Sequence, residues 1–364
     1  MQKVYTAEEV FNGDKRLPDH AIIVEEGIVE KVLPIISLPR NVTITAHAHL
    51  IAPAFVDLQI YGAKKRLLAA FPEKQSLQDL YEYCLSGGTR FVMPCVATNS
   101  YDNIFKCIDA IRDYWADGGQ GVLGLHVEGP WINKAKKGAH IEEFIHSPRP
   151  EQVKQLLDYG KNVIRIITLA PEVCSTEVIK LVQSHGVLIS AGHSNATYSE
   201  GLQGFDDGID LATHLFNAMS PIQHRSPGLP GAIFQHDSVM VSIIADGYHV
   251  NFEMISIAKK ILQQRLFLIT DAVTETNIGY YQHTLDGDKY TSNGILSGSA
   301  ISMIQSVKNC IDKVGINLNE ALRMASLYPA KAIGINNRVG MIHKGYEESF
   351  VFLDNNLDVI NTTG

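Results

Sequence analysis

At 364 residues the chain exceeds the usual span of one compact domain and suits a barrel of about 250 residues plus a small accessory domain. Hydrophobic residues make up 45% and charged ones 19%, an ordinary globular balance that argues against disorder, while a formal net charge of −8 with scattered signs excludes a nucleic-acid binder's basic footprint. The five cysteines form no CxxC pair and read as core packing in a reduced compartment; with no leader-like or spanning apolar run, a soluble, cytoplasmic protein that uses no membrane is expected.

The N-terminal stretch is β-like, and Ala21 to Val32 predicts a hairpin turning at Glu26-Gly27. From residue 51 apolar runs alternate with amphipathic stretches, the rhythm of consecutive βα units. Eight strands are predicted over 51–60, 89–98, 122–128, 163–170, 187–193, 211–217, 239–246 and 266–271. Helices are predicted over 77–85, 104–115, 151–157, 177–184 and 254–263, where apolar residues recur every three or four positions, with Pro150 and Asn251 at helix starts. Residues 277–296, rich in Gly, Tyr and Asp, read as a long excursion over a barrel mouth. Helical stretches follow over 303–314 and 319–333. The segments 349–354 and 357–360, split by Asn355-Asn356, return to β style, so both chain ends are expected to build one small domain. Eight strands close a barrel. The fold class expected is α/β, a (β/α)8 TIM-type barrel over residues 51–334, with the small domain taking residues 1–50 and 335–364.

Such a barrel builds its active site at the C-terminal strand ends, so the residues that end the strands carry the information. Four runs stop on a group able to bind metal or move a proton: Leu125-His126-Val127-Glu128, Ser190-Ala191-Gly192-His193, Ala212-Thr213-His214 and Leu268-Ile269-Thr270-Asp271. Glu128, His193 and His214 make the one-carboxylate, two-imidazole set of catalytic zinc sites, which keep a position open for water. Metal lowers the pKa of that water toward neutrality, and a carboxylate such as Asp271 can take its proton and pass it to a leaving amine. A lone strand-end His is more often a hydrogen-bonded structural residue; agreement across four strands favours the site.

The string Leu125-His126-Val127-Glu128-Gly129-Pro130-Trp131-Ile132-Asn133, then Lys136-Lys137-Gly138-Ala139-His140, Ala191-Gly192-His193-Ser194, Thr213-His214-Leu215-Phe216-Asn217-Ala218-Met219 and Thr270-Asp271-Ala272, resembles the N-acetylglucosamine-6-phosphate deacetylases of the amidohydrolase superfamily. The resemblance runs in the same order from Pro53 to Gly334. It implies a barrel with a small β-sandwich domain formed by both termini, and a hydrolase of amino-sugar metabolism that releases acetate and an amino-sugar 6-phosphate, commonly as a homodimer. By that resemblance Glu128, His193 and His214 hold one divalent metal per subunit, zinc foremost, Asp271 is general base and acid, and His140 helps polarise the acetyl carbonyl. Asn217, Ala218, Arg225 and His249 would meet the phosphosugar, with Arg225 or His249 open to coming from the partner subunit.

Two departures stand out. Gln59-Ile60-Tyr61 occupies the place of a His-x-His pair, and Leu169-Ala170-Pro171-Glu172 offers no bridging Lys, so one metal is inferred rather than two. Tyr61 stands where the family shows a smaller polar residue and could line or narrow the sugar pocket. N-acetylgalactosamine 6-phosphate is therefore the rival substrate, and a catalytically silent scaffold is the rival of another class. Ser299 and His224 carry no assigned role.

Overall fold

The computed structural model describes residues 2–363, which cluster into two compact units: 2–57, 82–91 and 302–363 in one, Leu58–Tyr81 and Val92–Ile301 in the other. The first is built on a six-stranded mixed sheet to which both chain ends contribute, in the order Val359–Thr362, Phe350–Leu353, Ala46–Pro53, Gln2–Phe11, Arg16–Glu25 and Ile28–Pro34. The hairpin turns at Glu26-Gly27 with both residues left-handed, at φ 52° and 80°, as a two-residue turn requires. Tyr5, Val10, Ile22, Ile51, Phe350 and Phe352 form its core, with the Tyr5 ring edge-on to Phe350 and Phe352 at 5.8 and 5.4 Å.

The run predicted as one strand over 51–60 is two strands. Ala46–Pro53 pairs in the terminal sheet, and Phe55–Ile60 is the first barrel strand. Every residue from Leu50 to Ile60 is buried, so hydrophobic patterning carries no mark of the change of sheet at Ala54. The helix predicted over 319–333 is likewise two, Leu318–Ala325 and Leu327–Ala332. Ser326 stands outside helical geometry at φ −127°, and Pro329 has no N–H to continue the ladder.

Eight parallel strands follow one another in chain order around the barrel: Phe55–Ile60, Thr89–Ala97, Leu125–Glu128, Ile164–Leu169, Leu188–Ala191, Leu211–Ala212, Met240–Ile243 and Leu266–Leu268. The ring closes where Asp271 N–H donates to Gln59 O and Tyr61 N–H donates to Ala272 O, each at 2.9 Å. Within it, His126, Thr168, Thr213 and Ser190 make a chain of buried hydrogen bonds of 2.7, 2.7 and 2.5 Å, and burial pushes His126 down to about 4, so it is a neutral member of the core.

The five predicted helices are present as Lys74–Ser86, Tyr101–Ala116, Pro150–Tyr159, Thr176–Ser184 and Phe252–Leu262, the last capped by Asn251, which accepts from Glu253 N–H. Tyr198–Asp206 and Gly228–Gln235 are two more, both short and glycine-containing, which blurs their periodicity, although Thr197 and Glu200 form a capping box at the start of the first; the stretch predicted over 303–314 is the helix Met303–Asn309 with a wider turn at Cys310–Val314. The excursion is a three-stranded antiparallel sheet of Thr284–Asp286, Lys289–Ser292 and Ile295–Ser299. All five cysteines are free, four of them buried. Among the described residues no helix is long and apolar enough to cross a membrane.

Candidate active site

Several barrel strands break off just before the residue that matters. His193, His214 and Asp271 leave the ladder in left-handed backbone, at φ 47°, 37° and 53°, a region costly for side-chain-bearing residues and concentrated at functional sites. The predicted strand ends at 193, 217 and 271 are shortened for this reason.

Glu128 is fully buried where these side chains converge. Its Oε1 lies 3.2 Å from His193 Nε2, 3.0 Å from His214 Nε2 and 3.0 Å from the Gln59 amide nitrogen, which donates to it. Its Oε2 lies 3.2 Å from His140 Nε2 and accepts the Tyr61 hydroxyl. Burial alone would raise this carboxyl, but the imidazoles of His193, His140 and His214 set against it hold it well below the usual range. Gly129, at φ 86°, follows it because a Cβ there would meet Thr98 Oγ1 at 2.1 Å. That same Thr98 hydroxyl is 2.8 Å from His140 Nδ1, and burial pushes His140 down to about 4.

His193 Nδ1 donates to Lys136 O at 2.9 Å, which leaves a neutral His193 with a bare lone pair on Nε2. That nitrogen faces His214 Nε2 at 3.1 Å and the ionised Glu128. Nitrogens and carboxylate oxygen thus crowd one point with too few protons to go round, an arrangement that a divalent cation satisfies. Glu128, His140 and His193 can each bring one ligand atom within 4.8 Å of the others, and His214 approaches Glu128 Oε1 more closely than either.

Asp271 faces the same cavity and accepts from the Gln59 amide at 2.7 Å through Oδ1, so one amide bridges Glu128 and Asp271. Ser299 braces its backbone, donating from Oγ to Thr270 O at 2.6 Å and from N–H to Asp271 O at 2.9 Å. The cavity, about 240 Å³, is also lined by Tyr61, Asn217, Ala218 and His249. Both ring nitrogens of His249 face acceptors, Asp246 Oδ2 at 2.6 Å and Ser297 O at 2.5 Å. Although burial opposes it, hydrogen bonding to His249 keeps Asp246 below its ordinary value. Arg225 does not join the group. It is exposed in the turn closed by Gln223 and Ser226 and does not line the cavity.

Three supporting residues carried no sequence signal of their own: Gln59, Thr98 and Glu172. Glu172 ends the strand-four segment, where its Oε1 accepts from Asn133 Nδ2 at 2.9 Å and Asn195 N–H at 2.6 Å, and its Oε2 from Ser194 Oγ at 2.7 Å. Asn133 N–H in turn holds His193 O at 2.9 Å.

An eight-stranded parallel barrel with carboxylate, imidazoles and an Asp gathered at its strand ends is the architecture of a metal-using hydrolase. The sequence profile of the amidohydrolase family matches residues 46–363, and that of the NagA composite domain matches residues 4–46. The chain belongs to the amidohydrolase family; it is an amide hydrolase of a family that uses divalent metal. It is 34% identical to N-acetylglucosamine-6-phosphate deacetylase of Haemophilus influenzae, over 99% of this chain and 95% of that one. It is 30% identical to N-acetylgalactosamine-6-phosphate deacetylase of Escherichia coli O157:H7, over 99% and 97%. The crystal structure of N-acetylglucosamine-6-phosphate deacetylase from Pasteurella multocida superposes with a TM-score of 0.94 at 33% identity, covering 100% of this chain and 98% of that one.

Proposed function

We propose that the protein hydrolyses N-acetyl-D-glucosamine 6-phosphate to D-glucosamine 6-phosphate and acetate. The observation that carries this reading is the convergence of Glu128, His193 and His214 beside Asp271, in a chain similar along its length to deacetylases of that substrate. Glu128, His193 and His214 hold one metal ion, zinc foremost, because Glu128 Oε2 already takes the Tyr61 hydroxyl while Oε1 faces both imidazoles. A divalent ion there supplies polarisation of the acetyl carbonyl and acidification of water. Asp271 takes the proton released as water adds to the carbonyl carbon, then delivers it to the nitrogen as the C–N bond breaks. His140, braced by Thr98, donates to the carbonyl oxygen as negative charge builds on it. Gln59 keeps Asp271 and Glu128 in register.

Asn217, Ala218 and His249 receive the phosphosugar. Arg225, exposed on its own subunit, reaches a phosphate in the partner subunit of a homodimer, where its planar fork suits the anion. A cytoplasmic setting belongs to the same reading, as does a division into barrel and terminal β domain, with the boundary expected at residue 51 moved to Ala54, where the chain changes sheet.

The test is amine release from N-acetylglucosamine 6-phosphate, N-acetylgalactosamine 6-phosphate and unphosphorylated N-acetylglucosamine, side by side. Preference for the glucosamine phosphate is expected. Better turnover of the galacto sugar would keep the chemistry and change the substrate, with Tyr61 the first residue to examine.

A further inference from the structure

The cavity has two unlike halves, and barrel order separates them. Its polar lining of Asn217, Ala218 and His249 follows the sixth and seventh strands, with Ser297 added from the excursion. Farther round the ring, past the eighth and first strands and at the end of the second, the lining is Tyr61, Leu67, Ala97 and Val273, with Tyr281 from the excursion. Leu67, Ala97, Val273 and Tyr281 are buried and packed together, and Tyr61 packs against them. This apolar wall begins beside the reacting groups. Ala97 is the ladder neighbour of Glu128, and the Tyr281 ring is edge-on to His140 at 6.3 Å.

A secondary amide is planar and trans, so its two carbon substituents point away from each other. With the phosphosugar in the polar half, the acyl carbon is directed into the apolar half. Two lining side chains there, Ala69 and Ala97, end at Cβ, and the hydroxyls that could have made this half polar are used elsewhere: Tyr281 donates to Thr98 O at 2.6 Å and Tyr61 to Glu128. We propose that this half is an acyl-chain subsite deeper than a methyl group, and that the enzyme hydrolyses N-propionyl- and N-butyryl-glucosamine 6-phosphate as well as the N-acetyl compound. The inference rests on the function proposed above. The chemistry is unchanged: water adds to the acyl carbon, the C–N bond breaks, Asp271 passes the proton to the nitrogen, and propionate or butyrate leaves.

The experiment is kcat/KM for the N-acetyl, N-propionyl and N-butyryl glucosamine 6-phosphates with metal-loaded enzyme, followed by amine release. The propionyl compound is expected within about threefold of the acetyl one and the butyryl compound within about tenfold, whereas a pocket closed to one extra methylene discriminates by about 10–200-fold. Ala97→Leu, which fills the subsite, is expected to lower the propionyl-to-acetyl ratio at least tenfold, and Val273→Ala to raise the butyryl-to-acetyl ratio; both ratios are independent of how much enzyme folds. Brisk turnover of the acetyl compound with a hundredfold loss at propionyl would overturn the subsite and leave the deacetylase reading intact. Silence on all three would overturn the deacetylase reading, and the subsite with it.

Discussion

Asp271 has its backbone in the left-handed region, its N–H spent on Gln59 O and one carboxylate oxygen held by the Gln59 amide, so the side chain faces the cavity already ordered. Asp271→Asn keeps the shape and removes the proton acceptor. It is expected to lower kcat by about 10²–10⁴-fold with metal content unchanged, read by amine release beside elemental analysis; undiminished turnover would remove Asp271 from the mechanism. Tyr61→Phe takes one donor from Glu128 and is expected to weaken metal retention by about 10–100-fold in chelator competition, the usual cost of a lost outer partner. Glu128, His193, His214 and Asp271 were legible in the sequence because each ends an apolar run with a group whose chemistry is distinctive. Gln59 lies near a strand end too, but an uncharged amide advertises neither metal nor proton transfer, and its two carboxylate partners lie 69 and 212 residues away.

At the scale of elements, Glu172 gathers the segments on either side of His193 through three donors. Glu172→Ala strands those donors and is expected to cost about 1–3 kcal/mol in chemical denaturation; an unchanged midpoint would show that the network is ornamental. The excursion carries His283, 3.0 Å from Ser297 Oγ and pushed by burial down to about 4. Its folded value lies below its unfolded one, so its contribution is present above about pH 6.5 and is lost as pH falls toward 4. Amide protection over 277–296, taken relative to the intrinsic exchange rate at each pH, is therefore expected to fall on acidification through that window, and His283→Phe to flatten the dependence. Strand rhythm and five helices could be read from periodicity. The split at Ala54 could not, since both of its sides are buried, nor could the excursion's sheet, whose strands of three to five residues are too short for alternation to show.

For the molecule as a whole, a net charge of −8 is unfavourable to a phosphosugar, so recognition has to come from local donors. His249 and the Asn217-Ala218 backbone line the cavity, and exposed Arg225 does not. If Arg225 serves a partner subunit, Arg225→Ala should raise KM for the phosphorylated substrate about 10–100-fold with little change in kcat. Mixing it with an Asp271→Asn variant should form hybrid dimers with one intact site; unaltered KM would place Arg225 outside recognition. The gathering of both chain ends into one sheet was legible from their shared short-strand style. The placement of Arg225 was not, because nothing in a single sequence distinguishes a turn that faces solvent from one that faces a second subunit. The most direct test of the account is acetate release from N-acetylglucosamine 6-phosphate, measured with metal content on one preparation before chelation, after it and after zinc is restored. Release is expected to fall with the metal and to return with it at about one ion per chain; full activity in the metal-free protein would remove the metal from the reaction.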